Sequence, residues 1–187
     1  MPTHEHRNDI VKHIAGYTFG ITLFVFLIPY GIWRLASSGL ALFSVPLTSN
    51  TDVRITLALL FFVPGVVFAI WSNLVLFFKG KGGPADVAGI AISPRTQKLA
   101  VTGPYKYTRN PMVFGMNAIY LSMALFFNSL GCLRVLIILF LIMVRYVVLR
   151  EEDRLLADFG ADYEAYKKKT SMLIPLSPKK HVSSPTE

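Results

Sequence analysis

Uncharged apolar runs alternate along this chain with short connections rich in Lys and Arg, and the run lengths predict the elements. Ile14 to Trp33 contains no Asp, Glu, Lys or Arg, and its length suits one helical crossing of about 30 Å of hydrocarbon. Ile55 to Phe78 is a longer uncharged run with Pro64-Gly65 inside it, where a kink is expected. Asn110 to Leu133 is also uncharged, but it is too long for one span with its flanks and too short for two. Asn128, Ser129 and Gly131 predict a tight turn within it. A third helix is then expected over about Met112 to Phe127 and a fourth over about Cys132 to Leu149. So short a connection makes these two an antiparallel hairpin.

Beyond Leu149 the pattern changes. Leu155, Leu156, Phe159 and Tyr163 recur at helical spacing among charged residues, which predicts an amphipathic helix beside the bundle. Gly160 fits a helix stop and Asp162 the cap of a short new helix, with Lys167 to Lys169 suited to that helix's negative end. The expected fold is all-α, an integral membrane bundle of about four transmembrane helices with a C-terminal amphipathic helix, in one domain over residues 1–187. Its segments are a polar arm (1–13), two spans (14–78), a connecting loop (79–111), a helical hairpin (112–149), further helices (150–175) and a flexible tail (176–187).

Composition agrees with a membrane setting. Hydrophobic residues make up 53% of the chain and charged residues 16%, too little polar surface to clothe a soluble domain of this size. The net charge of +8 would suit nucleic acid, but the basic residues flank apolar runs instead of lining one patch, which excludes that partner. Four spans put both termini on one side, and that side holds 16 of the Lys and Arg residues against 3 (Arg34, Arg54, Arg134) on the other. The positive-inside rule then makes the termini and the Lys79–Arg109 connection cytoplasmic. The N-terminus has the pattern of neither a cleaved signal nor a lipidation site, and the C-terminal Ser-Ser-Pro-Thr-Glu has no prenylation box. Cys132 is the only cysteine, which rules out an intrachain disulfide and a cysteine-rich zinc site. His4 and His6 form the one conceivable metal pair, and a solvated terminus accounts for them better. No metal is expected.

Chemistry-capable residues gather on the side with the basic excess. Lys79-Gly80-Lys81-Gly82-Gly83-Pro84 has the composition of a phosphate cradle but not its spacing, and reads as a flexible exit from the membrane. Further on, Gly103-Pro104 forces a turn and Pro111 holds Asn110 out of a helix. Tyr105, Tyr107, Arg109 and Asn110 are therefore held in a compact non-helical segment at the membrane surface. That segment suits ligand binding and an interfacial aromatic belt equally. Glu151 and Glu152, directly after the fourth span, can receive a cation or a hydroxyl-rich ligand, or simply pair with Arg150 and Arg154. Arg145 lies in the last third of that span, either snorkelling to the boundary or facing a polar cavity.

Gly103-Pro104-Tyr105 and Arg109-Asn110-Pro111-Met112, followed by Glu151-Glu152, Leu155, Phe159-Gly160, Tyr163 and Tyr166, resemble the isoprenylcysteine carboxyl methyltransferase and phospholipid methyltransferase superfamily. The resemblance covers roughly Gln97 to Pro175, and the first two spans match only in being apolar. It implies a helical membrane protein whose cytoplasmic end encloses S-adenosylmethionine. Carried over by motif, cofactor contacts fall on Leu99, Ala100, Val101, Gly103, Tyr105, Asn110, Pro111, Met112, Glu151 and Glu152, with Arg109, Asn110 and Arg145 as candidate catalytic residues. Carboxylates can accept hydrogen bonds from ribose or amino groups and offset the sulfonium charge, and Tyr105 can pack an adenine ring. Methyl transfer from a sulfonium requires mainly alignment and exclusion of water, so no nucleophilic triad is expected and none is visible.

The prenylcysteine enzyme's pattern is not fully kept. Asn110 stands where that enzyme has His, Val113 where it has Tyr, and Val147 where it has a substrate-binding Arg. The acceptor therefore stays open among prenylcysteine carboxylates, lipid amines, and small thiols or hydrophobic alcohols. Two other readings are a sterol-reductase-like membrane enzyme using NADPH and a non-enzymatic membrane protein that keeps the fold. The partners expected are the lipid bilayer and a lipophilic methyl acceptor.

Overall fold

Apolar runs broken by prolines, glycines and turn residues form helices in sequence order. A computed structural model describes residues 14–16, 18–80, 86–87, 90–91 and 98–178. The helices are α1 (Ile14–Ala36), α2 (Thr51–Val75), α3 (Pro111–Phe126), α4 (Leu130–Met143) and α5 (Leu149–Lys169). Among the described residues three π-helical turns interrupt or extend them: Thr22–Leu27 within α1, Leu76–Gly80 after α2, and Val144–Val148 between α4 and α5. Among the described residues the only ladder is a two-residue antiparallel pair, β1 (Asp86–Val87) with β2 (Ile90–Ala91). The candidate metal pair at His4 and His6, Lys81 to Pro84, and most of the predicted tail lie outside the described residues.

Two helices, Ile14–Ala36 and Thr51–Lys79, are long and apolar enough to cross a membrane, while Pro111–Phe126 and Leu130–Met143 are shorter. The shortness of α4 is partly a matter of hydrogen-bond register. Its chain passes without a break through the π turn into α5, so the stretch from Leu130 to Val148, apolar but for Arg134 and Arg145, rises about 28 Å. The outward faces are oily: Leu60, Val63, Ile70, Ile138 and Leu141 are all more than half exposed. Surface of this kind belongs in lipid or against another protein.

Local rules explain the element ends. Asn50 caps α2, its side-chain carbonyl accepting from the backbone N–H groups of Asp52 (2.9 Å) and Val53 (3.1 Å). Pro64 stands inside α2 without ending it. Pro111 opens α3 at the first helical position, where a missing N–H costs nothing. The hairpin turn follows the predicted residues: Asn128 takes a left-handed conformation (φ 56°) and Ser129 caps α4 through Cys132 N–H. The 37–50 loop seals this end. Leu47 and Thr48 donate to the Asn128 side chain at 2.9 and 3.1 Å, and Ser129 donates to Phe43 carbonyl at 2.8 Å.

Packing centres on α2 against α3. Gly65, Ala69 and Ser72 of α2 are buried, as are Gly115, Ala118 and Ser122 of α3, so the two backbones come unusually close. A Cβ on Gly115 would lie 2.6 Å from Ala69 N and 2.8 Å from Gly65 O. Gly115 is thus filled by α2 and offers no room for a ligand chain. A second cluster joins α1 to the hairpin through Ile32, Phe43, Tyr120, Ala124 and Cys132. Tyr120 there donates to Phe24 carbonyl, inside the π turn of α1, at 2.8 Å.

Because the obstacle at Gly115 is backbone, no side-chain rearrangement relieves it. Gly115→Leu is expected to destabilise the detergent-solubilised protein by about 1–3 kcal/mol or more. Thermal unfolding would show this as a lowered midpoint, and an unchanged midpoint would refute the close approach of α2 and α3.

Candidate functional site

The 98–110 segment is built against α2 from one side and the chain end from the other. Its turn, Gly103–Lys106, is a single 3₁₀ turn with Pro104 buried. Gly103 lies against Trp71 and Val75 of α2, and Lys79 Nζ reaches Thr102 Oγ1 at 3.3 Å. Asn110 stands outside the helical region (φ −124°, ψ 60°), as the following proline favours, and its carbonyl accepts from Phe114 N–H at 3.0 Å to begin α3.

The segment after α5 runs alongside it. Thr108 and Ser171 form an isolated parallel bridge, with Arg109 N–H donating to Ser171 carbonyl at 2.9 Å. Leu176 N–H donates to Tyr107 carbonyl at 3.0 Å. Met172 carbonyl accepts from both the Thr108 hydroxyl (3.1 Å) and the Asn110 amide (3.0 Å). The Asn110 side-chain N–H₂, a predicted ligand contact, is thus engaged in holding the chain end. Sequence reasoning had no signal for this strap, because its bonds run mostly to backbone atoms.

Glycine at 160 makes the other wall. Its backbone (φ 50°, ψ −124°) is open to Gly and costly for other residues. The predicted helix stop is therefore a sharp kink inside α5. Lys167 Nζ lies 3.1 Å from Glu152 Oε2. In a straight helix fifteen residues rise about 22 Å, more than these two side chains span. The second half of α5 must fold back over the first. Tyr163, one turn before Lys167, is carried inward with it and is fully buried. Tyr166 donates to Tyr105 carbonyl at 2.6 Å, tying the folded-back half to the 3₁₀ turn.

At the centre is an ion pair. Arg109 Nη2 lies 3.0 Å from Glu152 Oε1, and the two side chains are only 8% and 4% exposed. Arg109 Nε and Nη1, Glu152 Oε1 and the Tyr163 hydroxyl are buried with no hydrogen-bond partner among the described residues. Burial, chiefly, pushes the Tyr163 hydroxyl well above the usual tyrosine range, and the Glu152 charge pushes the same way. Burial does the same to Tyr166. Both phenols stay protonated at any physiological pH.

The two predicted glutamates therefore separate. Glu152 faces inward to Arg109 and Lys167, whereas Glu151 turns to Arg154, which also holds Asp158 at 3.1 Å. Of the other predicted contacts, Pro111 is buried, Leu99, Ala100, Gly103, Tyr105, Asn110 and Met112 are half-buried, and Val101 is exposed. Arg145 is exposed on the π turn, about two helical turns before Glu152. Tyr163, Tyr166 and Lys167 enter the site without having been singled out for it. Helical spacing marked Tyr163 as a packing residue and Lys167 suited the helix end, and only the kink turns that face inward.

Outside this polar cluster lies an apolar cavity of about 240 Å³, lined by residues such as Phe114, Ala118, Leu136 and Phe140, and by Leu173 and Ile174. Asn117, whose amide donates to Val113 carbonyl at 2.8 Å, and Tyr120 are its polar members. Leu173 follows Met172, so the strap touches both the polar cluster and the cavity.

Residues 53–162 match the family model of phospholipid methyltransferases. The match takes in α2, the 98–110 segment, the hairpin and the first half of α5. No curated protein and no solved structure matches the chain.

Proposed function

Since the chain belongs to the phospholipid methyltransferase family, we propose that it transfers a methyl group from S-adenosylmethionine to a lipophilic acceptor at the cytoplasmic face of a membrane. The observation that carries this reading is the buried Arg109–Glu152 pair with its unmatched polar atoms, set beside the 98–110 segment. Those atoms fit the cofactor's polar groups: guanidinium N–H donors for an anion and a carboxylate oxygen for hydroxyl or ammonium donors. In this reading Glu152 and Arg109 hold the cofactor, while Tyr105 and the Leu99–Val101 stretch border its base. When bound, S-adenosylmethionine supplies an activated methyl on a good leaving group. The protein's own residues then have to orient the acceptor, keep water out and hold the polar end of the cofactor still. No strong base is required of them. The family match gives no support to the NADPH reductase alternative.

The acceptor's apolar part is assigned to the cavity beside Leu173, which offers hydrocarbon contacts and only the polar groups of Asn117 and Tyr120. Burial of an acyl or prenyl chain contributes about 0.8 kcal/mol per methylene, so a chain of this kind is already concentrated in the surrounding lipid. We read the four apolar helices as four spans, with both termini and the 79–109 connection cytoplasmic, on the asymmetry of 16 basic residues against 3.

Three measurements test these assignments. By titration calorimetry, S-adenosylmethionine is expected to bind the detergent-purified protein while NADPH does not. Glu152→Gln should weaken binding by roughly 1.5–3 kcal/mol, the scale of a hydrogen bond to a charged group. Glu151→Gln, outward and already paired with Arg154, should cost less than about 1 kcal/mol. Equal and negligible losses in both variants would remove the pair from the site.

Orientation is read by thiol labelling in intact cells, with Cys132 replaced by Ser and single cysteines placed at Lys98 and Ser49. Labelling of Lys98→Cys from outside would reverse the topology. For the acceptor, prenylcysteine, phosphatidylethanolamine and small thiols are offered in parallel to the wild type and to Ala118→Phe, which fills the cavity. Long-chain acceptors should lose turnover in that variant. Turnover of a small soluble thiol alone, undisturbed by the substitution, would sink the cavity assignment.

A further inference from the structure

Tyr163 lies one residue beyond the stretch matched to the family. It is fully buried, yet its hydroxyl has no hydrogen-bond partner among the described residues. A buried hydroxyl in that condition is destabilising, and phenylalanine would fill the same space without the cost. The side chains around it are unmatched in a consistent way. Arg109 commits only Nη2 to Glu152, leaving Nε and Nη1 as buried donors without partners. Tyr163 keeps its proton and so adds a third donor. Glu152 is shared between two cations, Arg109 and Lys167, while Glu151 and Asp153 also act on Tyr163 from outside this cluster. One orphan accepts: Glu152 Oε1, at ion-pair distance from Arg109 but receiving no hydrogen bond. Three donors, two of them on a guanidinium, beside one anionic acceptor complement an α-amino acid, whose carboxylate meets the donors and whose ammonium meets the glutamate.

We propose that Arg109, Tyr163 and Glu152 form an α-amino-acid pocket that grips the methionyl end of S-adenosylmethionine, with the Tyr163 hydroxyl donating to its carboxylate. This rests on the reading of S-adenosylmethionine as methyl donor. The kink at Gly160 is what makes the pocket, since it carries Tyr163 and Lys167 back towards Glu152. The bond from Tyr166 to Tyr105 fixes the pocket relative to the 3₁₀ turn, so both ends of an extended cofactor would meet one rigid frame. A carboxylate could also come from an acceptor. The cavity assigned to the acceptor's chain is apolar, and neither Arg109, Glu152 nor Tyr163 lines it, so the donor's carboxylate is the assignment made.

The test compares three ligands by titration calorimetry on the full-length protein in detergent: S-adenosylmethionine, its decarboxylated form and 5′-methylthioadenosine. The wild type should bind S-adenosylmethionine at least about tenfold more tightly than the decarboxylated form. Tyr163→Phe should weaken S-adenosylmethionine about fivefold, a neutral donor's share, and leave decarboxylated S-adenosylmethionine and methylthioadenosine unchanged. Arg109→Lys, which keeps a cation for Glu152 but loses the extra donors, should lose more for S-adenosylmethionine and again spare methylthioadenosine. The ligand-free thermal midpoint of Tyr163→Phe should equal or exceed that of the wild type. A lower midpoint would give the hydroxyl a purely structural role and overturn the proposal, as would equal affinity of the wild type for S-adenosylmethionine and its decarboxylated form. Competition by S-prenylcysteine but not by its methyl ester, lost in Tyr163→Phe, would move the carboxylate to the acceptor and overturn the assignment to the donor. A wild type that binds none of the three ligands would remove the methyl-donor reading itself.

Discussion

The contact between Arg109 and Glu152 joins the segment that opens α3 to the helix that continues α4, and both charges are almost wholly shielded from water. Taking two charges out of water costs several kcal/mol each, and mutual attraction offsets this only when the geometry holds. Removing one partner of such a pair typically costs about 3–5 kcal/mol, because the other is left buried alone. The surrounding structure is arranged so that neither can move off. Arg109 is fixed at its own backbone by Ser171 carbonyl, and its neighbours Thr108 and Asn110 are fixed through Met172 carbonyl. Glu152 is held from the solvent side by Lys167.

Two backbone features make that arrangement possible, and both concern where helices fail to run straight. The π turn Val144–Val148 carries the chain from α4 into α5 without a loop, so Glu152 emerges in fixed register with the hairpin. Gly160 then reverses the direction, and only a residue without a Cβ adopts its backbone angles cheaply. A rigid floor is supplied by α2 and α3, whose glycines and alanines bring the backbones together and hold the 3₁₀ turn against Trp71 and Val75. Precision at the polar centre thus rests on apolar packing one layer below it.

Much of this was legible in the chain, and the reasons are specific. The uncharged runs marked the helices, Asn128-Ser129 marked the hairpin turn, and Pro111 marked the start of α3. The motif set from Gly103 to Tyr166 pointed to the family that the matched stretch independently identifies. Gly160 was read as a stop, and the structure makes it a fold-back. A glycine's identity announces permissiveness but not the angle it will take. Glu151 and Glu152, adjacent in sequence, could not be told apart until the helix phase put one inward and the other outward. A small residue on a helix face, such as Gly115, is by itself compatible with space for a ligand or with close helix contact, and the neighbouring backbone of α2 chooses the second. The strap at 171–176 left no pattern because backbone atoms carry most of its bonds.

The polar centre and the apolar cavity are chemically opposite, yet they meet at one peptide. Met172 gives its carbonyl to Thr108 and Asn110, and Leu173 turns its side chain to the cavity. In the proposed reaction the methyl donor is a charged, water-soluble molecule and a lipophilic acceptor partitions out of water, so no single solvent presents both. A catalyst for the pair needs a boundary at which each is desolvated from its own side while the reacting atoms meet between them. Charges buried at the end of the bundle can be tolerated only where protein groups replace the lost water. That condition is met at the surface end of α3 and not at its middle, where the cavity lining is almost wholly hydrocarbon. The strap that closes the polar side therefore also forms the cavity's near wall, and the place where the two environments touch is fixed by the same few hydrogen bonds that fix Arg109.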